Sequence, residues 1–90
     1  MYRYTFSPRA DREIRILTSR APRRDVERLL QAIDNLGNEP SPYGVMKLKG
    51  SNEGYRIRAG DYRILYEIYD KSQTVTITRV LRRNEGTYRA

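Results

Sequence analysis

Large apolar side chains alternate with polar ones over Tyr2-Arg3-Tyr4-Thr5-Phe6, the period of a short strand with one buried face. Ser7-Pro8 then reads as a helix N-cap followed by proline at the first helical position, where its missing N–H costs nothing. Ala10, Ile14, Leu17 and Ala21 recur every three or four residues and predict a first helix with one apolar stripe. Its other face carries Arg9, Asp11, Arg12, Glu13 and Arg15. Pro22 ends that helix or opens a second one, which runs to about Leu36 on the stripe Val26, Leu29, Leu30, Ile33 and Leu36. Gly37 is placed to terminate it. Asn38-Glu39-Pro40-Ser41-Pro42 cannot continue a helix and reads as a loop.

From Val45 the period becomes two. Val45, Met46 and Leu48 predict a strand with Lys47 and Lys49 on its polar side, closing at Gly50. Tyr55, Ile57 and Ala59 alternate with Arg56 and Arg58, and Gly60-Asp61 is a two-residue hairpin signal. Tyr62, Ile64, Tyr66 and Ile68 face one way in the next strand; Arg63, Leu65, Glu67 and Tyr69 face the other. Asp70 to Gln73 make a second turn, and the β-branched run from Thr74 to about Arg82 makes the last strand. The polar tail from Arg83 to Ala90 reads as a loop or a short helix. The order of elements predicts an α+β fold: an N-terminal strand, a two-helix hairpin, then antiparallel strands in a twisted sheet packed on the helices.

Ninety residues are read as one domain over 1–90, too small to enclose an elaborate cofactor site. The chain has no cysteine and no histidine, which removes disulfides, thiolate chemistry and the usual zinc ligands. No cofactor or metal is expected. No apolar run approaches the roughly 20 residues that span a bilayer, and no signal-peptide pattern opens the chain. A cytoplasmic protein without a membrane partner is expected. The formal charge is +7, and it is unevenly spread: residues 1–45 hold 8 basic and 6 acidic side chains, residues 46–90 hold 10 and 5. The positive field therefore sits mainly in the strand-rich half, where it favours a polyanion or an acidic protein.

Alternation sets Arg56 and Arg58 on one side of their strand, about 7 Å apart. The Gly60-Asp61 turn folds Arg63 back beside them. Lys47 and Lys49 fall on a neighbouring strand, and Arg82, Arg83 and Tyr88 arrive at the end of the last strand and in the tail. One sheet face can thus gather several cations and a phenol, a surface suited to a phosphodiester backbone with splayed bases. Guanidinium forks match phosphate oxygens two at a time and stabilise charge that builds on a dividing phosphate. The plainer reading of Arg56, Arg58 and Arg63 is strand charge that discourages aggregation. Lys47 and Lys49 serve either backbone binding or solubility. Tyr55, Tyr62 and Tyr66 sit on the apolar side and are read as core. The helix arginines Arg12, Arg15, Arg23, Arg24 and Arg28, interspersed with acids, are read as a solvated surface with local ion pairs.

Lys47-Leu48-Lys49-Gly50, the run from Tyr55 to Glu67 with its Tyr-Arg and Gly-Asp-Tyr-Arg pairs, then Arg79 to Glu85 and Tyr88, resemble the RelE-type toxins of the RelE/ParE superfamily. The resemblance spans nearly the whole chain. It implies the toxin of a type II toxin–antitoxin system, an endoribonuclease that enters the ribosomal A site and cleaves mRNA there. In that chemistry the ribose 2′-hydroxyl attacks the adjacent phosphate, leaving a 2′,3′-cyclic phosphate and a 5′-hydroxyl without a metal. It also implies an acidic antitoxin that neutralises the toxin and brings the pair to operator DNA. The related ParE toxins share the fold and act on DNA gyrase, which is the alternative function.

By position, Arg56 and Arg58 match a basic pair that holds phosphate and assists proton transfer. Arg63 matches an arginine that stabilises the transition state. Arg82 or Arg83 matches a C-terminal basic residue near the leaving oxygen, and Tyr88 a tyrosine that stacks on or orients the substrate. Lys47 and Lys49 would contact RNA. Some relatives of this type have lysines where Arg56 and Arg58 stand. Arginine scarcely deprotonates and is a poor general base. The base is then Tyr88 or one of the two lysines, or cleavage rests on electrostatics and alignment.

Overall fold

A computed structural model describes residues 2–38, 46–47 and 54–82. Along the chain these form β1 (Arg3–Phe6), α1 (Pro8–Arg20), α2 (Arg23–Asn38), β2 (Met46–Lys47), β3 (Gly54–Ala59), β4 (Tyr62–Tyr69) and β5 (Thr74–Arg82). The strands build one sheet in the order β1-β5-β4-β3-β2. Pairs β2–β3, β3–β4 and β4–β5 are antiparallel, as hairpin signals predict, whereas β1 runs parallel to β5. The sheet is therefore mixed. A parallel neighbour needs a long crossover, and the chain between β1 and β5 supplies it.

Local chemistry starts and stops the helices. Ser7 holds extended backbone and its Oγ accepts from the Ala10 amide at 3.1 Å, capping α1 ahead of Pro8. Ala21 leaves the helix in an extended conformation, and the Pro22 carbonyl accepts from the Asp25 and Val26 amides to open α2. Gly37 does not end α2, which continues to Asn38. Its role is close approach. The Tyr2 amide donates to the Gly37 carbonyl at 2.7 Å, and a Cβ on Gly37 would stand 3.0 Å from the Tyr2 carbonyl oxygen.

The core lies between the helices and one face of the sheet. Ala10, Ile14, Leu29, Ile33 and Leu36 meet Ala59, Tyr62, Ile64, Tyr66, Ile68, Val75, Ile77 and Val80. Each large side chain so buried contributes about 1.5–3 kcal/mol relative to exposure. Leu30 departs from its stripe and is 45% exposed, beside Tyr4. Among the described residues no helix is long and apolar enough to cross a membrane.

The last strand contains an irregularity. Tyr66 pairs with Ile77 but Leu65 pairs with Arg79, so Thr78 is an extra residue, a β-bulge. The Thr78 hydroxyl donates to the Leu65 carbonyl, and the Ser7 hydroxyl donates to the Thr78 carbonyl, both at 3.1 Å. Glu13 of α1 closes over the same segment. One of its oxygens accepts from the Val80 amide at 2.8 Å and the other from Arg79 Nε at 2.9 Å.

Tyr66 has no solvent exposure, and its ring stacks on that of Tyr55 with centroids 5.8 Å apart. Burial, and then the neighbouring Tyr55 phenol, push its ionisation well above the usual tyrosine range. A raised phenol pKa means the fold favours the neutral form. That stability is complete below the unfolded phenol pKa of about 10 and declines as pH rises beyond it. Absorbance titration of folded wild type and Tyr66→Phe up to about pH 11 should therefore ionise equal numbers of phenols. One phenol fewer in the variant would show that Tyr66 titrates normally.

Candidate functional site

The face of the sheet turned away from the helices is built by register. Antiparallel partners share a face, so Arg58 opposite Arg63, Arg56 opposite Leu65 and Arg63 opposite Leu81 form a single patch. Arg56 and Arg63 are half-buried and Arg58 is exposed. Leu65 and Leu81, 6% and 2% exposed, belong to this face and not to the helix-side core. Arg79, opposite Leu65, belongs to this face by the same register but is neutralised by Glu13, so Arg56, Arg58 and Arg63 surround an apolar floor that lowers the local dielectric and strengthens their attraction for an anion. Directly opposed like charges destabilise a sheet. The Arg58–Arg63 pair is placed so that an anion can sit between its members.

The structure separates Arg82 from this patch. Arg82 pairs with Tyr62, not with an open-face residue, and lines a crevice of about 470 Å³ with Leu17, Arg20, Ala21, Asp25 and Tyr62 where α1 turns into α2. The bulge at Thr78 is the cause. Continued without it, the Tyr66–Ile77 register would set Leu81 opposite Tyr62 and turn Arg82 to the arginine side. Lys47 is in register with Tyr55, and Met46 with Arg56. The register thus puts Lys47 in the Tyr55 row, not in the arginine row. Lys49, Arg83 and Tyr88 lie outside the described residues.

Two residues read as solvated helix surface bear on the site. Glu13, with only 21% of its side chain exposed, pairs with an Arg79 side chain that is 18% exposed. The pairs Arg15–Asp11 and Arg23–Glu27 are far more open. Glu13 precedes Ile14 and lies at the margin of the α1 stripe, a position that sequence alone leaves ambiguous. Arg28 of α2 crosses the β3–β4 turn, its Cδ and one terminal nitrogen each 3.2 Å from where a Cβ on Gly60 would stand. Among the described residues no three histidine, cysteine or acidic side chains gather into a metal site.

Related proteins share this frame. The family of ParE toxins of type II toxin–antitoxin (parDE) systems matches residues 4–86. RelE1 of Methanocaldococcus jannaschii, a candidate toxin by its name, is 31% identical over 71 residues, covering 76% of this chain and 78% of that one. The archaeal RelE–RelB complex of Pyrococcus horikoshii contains a chain 29% identical, with a TM-score of 0.75 over 94% of this chain and 98% of that one. The RelBE2 toxin–antitoxin complex of Mycobacterium tuberculosis contains a chain 31% identical, with a TM-score of 0.73 over 91% and 98%.

Gly60 carries the β3–β4 turn at φ +62°, the left-handed region that disfavours a Cβ. Gly60→Ala should cost about 1–2 kcal/mol in urea unfolding, through backbone strain and displacement of Arg28. An unchanged midpoint would show that the turn does not need glycine.

Proposed function

Because the chain belongs to the ParE toxin family of type II toxin–antitoxin systems, within the RelE/ParE superfamily, we propose that it is a ribosome-dependent endoribonuclease that cleaves mRNA in the A site. The observation that carries this reading is the opposed pair Arg58 and Arg63, with Arg56 two residues away, over Leu65 and Leu81. The chain acts as one cytoplasmic domain over 1–90, without a metal. Its cellular counterpart is an acidic antitoxin, in line with the RelE–RelB pairing named for the Pyrococcus horikoshii protein and with a net charge of +7. Operator DNA is reached only through that complex.

In this mechanism the 2′-hydroxyl loses its proton as its oxygen bonds to the adjacent phosphorus. The bond to the 5′ oxygen then breaks, and that oxygen takes up a proton. Negative charge builds on the non-bridging oxygens between these events. Arg58 and Arg63 clamp those oxygens from two strands, and Arg56 holds the next phosphate. None of the three can act as base at neutral pH. The base is then Tyr88, Lys47 or Lys49, or cleavage rests on electrostatics and alignment, with the two lysines also contacting the RNA backbone. Arg82 or Arg83 serves the leaving oxygen from the end of β5.

The family's parDE name also favours a second reading, in which the toxin poisons DNA gyrase and the arginine face is dispensable for chemistry. Mapping transcript ends after induction separates the two. Cuts in register with codons are expected, and Arg58→Ala or Arg63→Ala should each reduce them by about tenfold to a thousandfold. Intact transcripts with broken DNA would support the gyrase reading. Undiminished codon-register cuts in Arg63→Ala/Tyr88→Phe would remove the assignment of this face.

A further inference from the structure

We propose that Glu13 is a positioning residue, whose carboxylate holds the β5 bulge in the register that turns Arg82 to the Tyr62 side. β1 pairs with β5 only as far as Phe6 opposite Ile77. Beyond that point the β5 edge still has backbone groups to satisfy, and the first turns of α1 satisfy them. The Ser7 amide donates to the Ile77 carbonyl at 2.9 Å and its hydroxyl donates to the Thr78 carbonyl. The Val80 amide donates to Glu13 at 2.8 Å, a bond that a longer β1 would otherwise make.

The second carboxylate oxygen of Glu13 takes both Nε and a terminal nitrogen of Arg79 at 2.9 Å. Only a carboxylate serves both partners well. One oxygen satisfies a backbone N–H, while the other neutralises the guanidinium of a mostly buried side chain. Without it, the segment can slide by one residue and erase the bulge. A one-residue slip sends every later side chain to the opposite face. Arg82 would then join Arg63, and Leu81 would turn toward Tyr62.

This inference rests on the proposed RNA cleavage for its effect on rate, but its structural half does not. The first measurement is the set of nuclear Overhauser contacts between the Tyr62 ring and the Arg82 side chain in the purified full chain. Wild type should show them and Glu13→Ala should lose them. Glu13→Gln, which keeps an acceptor for the Val80 amide, should retain part of them, and it replaces Glu13→Ala if that variant does not fold.

The second measurement is single-turnover cleavage on programmed ribosomes. Glu13→Ala should slow the step by about tenfold to a hundredfold, because the slip withdraws Leu81 from beneath Arg63 and shifts the end of β5, with ribosome affinity within about threefold of wild type. Adding Arg82→Ala to Glu13→Ala should cost little more, because that arginine has already left its wild-type place. Adding Arg63→Ala should multiply the loss. Retained Tyr62–Arg82 contacts in Glu13→Ala, or multiplying losses for Glu13→Ala with Arg82→Ala, would overturn the positioning role. A wild-type chain that never cuts ribosome-bound mRNA would sink the cleavage reading, while the contact measurement still decides the role of Glu13.

Discussion

Strand β5 loses one of its two neighbours halfway along, and most of the structure answers to that constraint. As far as Ile77 it is a central strand between β1 and β4; from Thr78 onward one edge has no strand beside it among the described residues. A sheet edge next to a core must be closed by some donor or acceptor. Here the closure comes from Ser7 and Glu13, one at the cap of α1 and one two turns along. The helix that supplies part of the core therefore also determines which way the end of β5 points. Core packing and charge placement are linked through one short stretch of backbone.

The frame is shared with RelE and ParE toxins, and a frame alone does not carry an activity. What belongs to this chain is the distribution of guanidiniums over it. Arg56, Arg58 and Arg63 sit on the face away from the helices around Leu65 and Leu81, with Arg79 opposite Leu65 and paired to Glu13. Arg82 stands on the helix side at the same end of the sheet, in the crevice with Asp25 and Tyr62. An extended polyanion meeting that end would find positive charge on both sides of the strand terminus. A compact anion would reach only one of these two sides at a time.

The pleat was legible in the sequence wherever the period of two ran unbroken. The alternation of Arg56 and Arg58 against Tyr55, Ile57 and Ala59 gives their face, and the Gly60 turn gives the pairing with Arg63. Arg82 was misread because the period breaks before it. Val75, Ile77 and Val80 are core residues spaced by two and then three, a signature of one inserted residue that reads as noise when β-branched side chains surround it. Lys47 was hard to place for another reason. A strand of two residues has no period of its own, and its face comes from pairing with β3. The parallel pairing of β1 was equally hidden, since a strand's own pattern does not reveal its neighbour. Glu13 shows the limit of helix stripes, because a residue at the margin of an apolar face is solvated or buried according to what lies across from it.

Magnitudes show why the sheet tolerates its own repulsion. Directly opposed like charges cost about 0.2–1 kcal/mol, less still where water screens Arg58. On the reverse side of the same two strands, Ala59 packs beside Tyr62, Ile57 beside Ile64, and Tyr55 stacks on Tyr66. Burying Ile64 alone contributes about 1.5–3 kcal/mol, enough to offset the opposed guanidiniums. The strands are therefore held by one face and charged on the other, and the turn at Gly60 forces both conditions into the same few residues. An anion bound between Arg58 and Arg63 would reduce the repulsion without disturbing the packed side, because the packing and the charges occupy opposite faces of the same two strands.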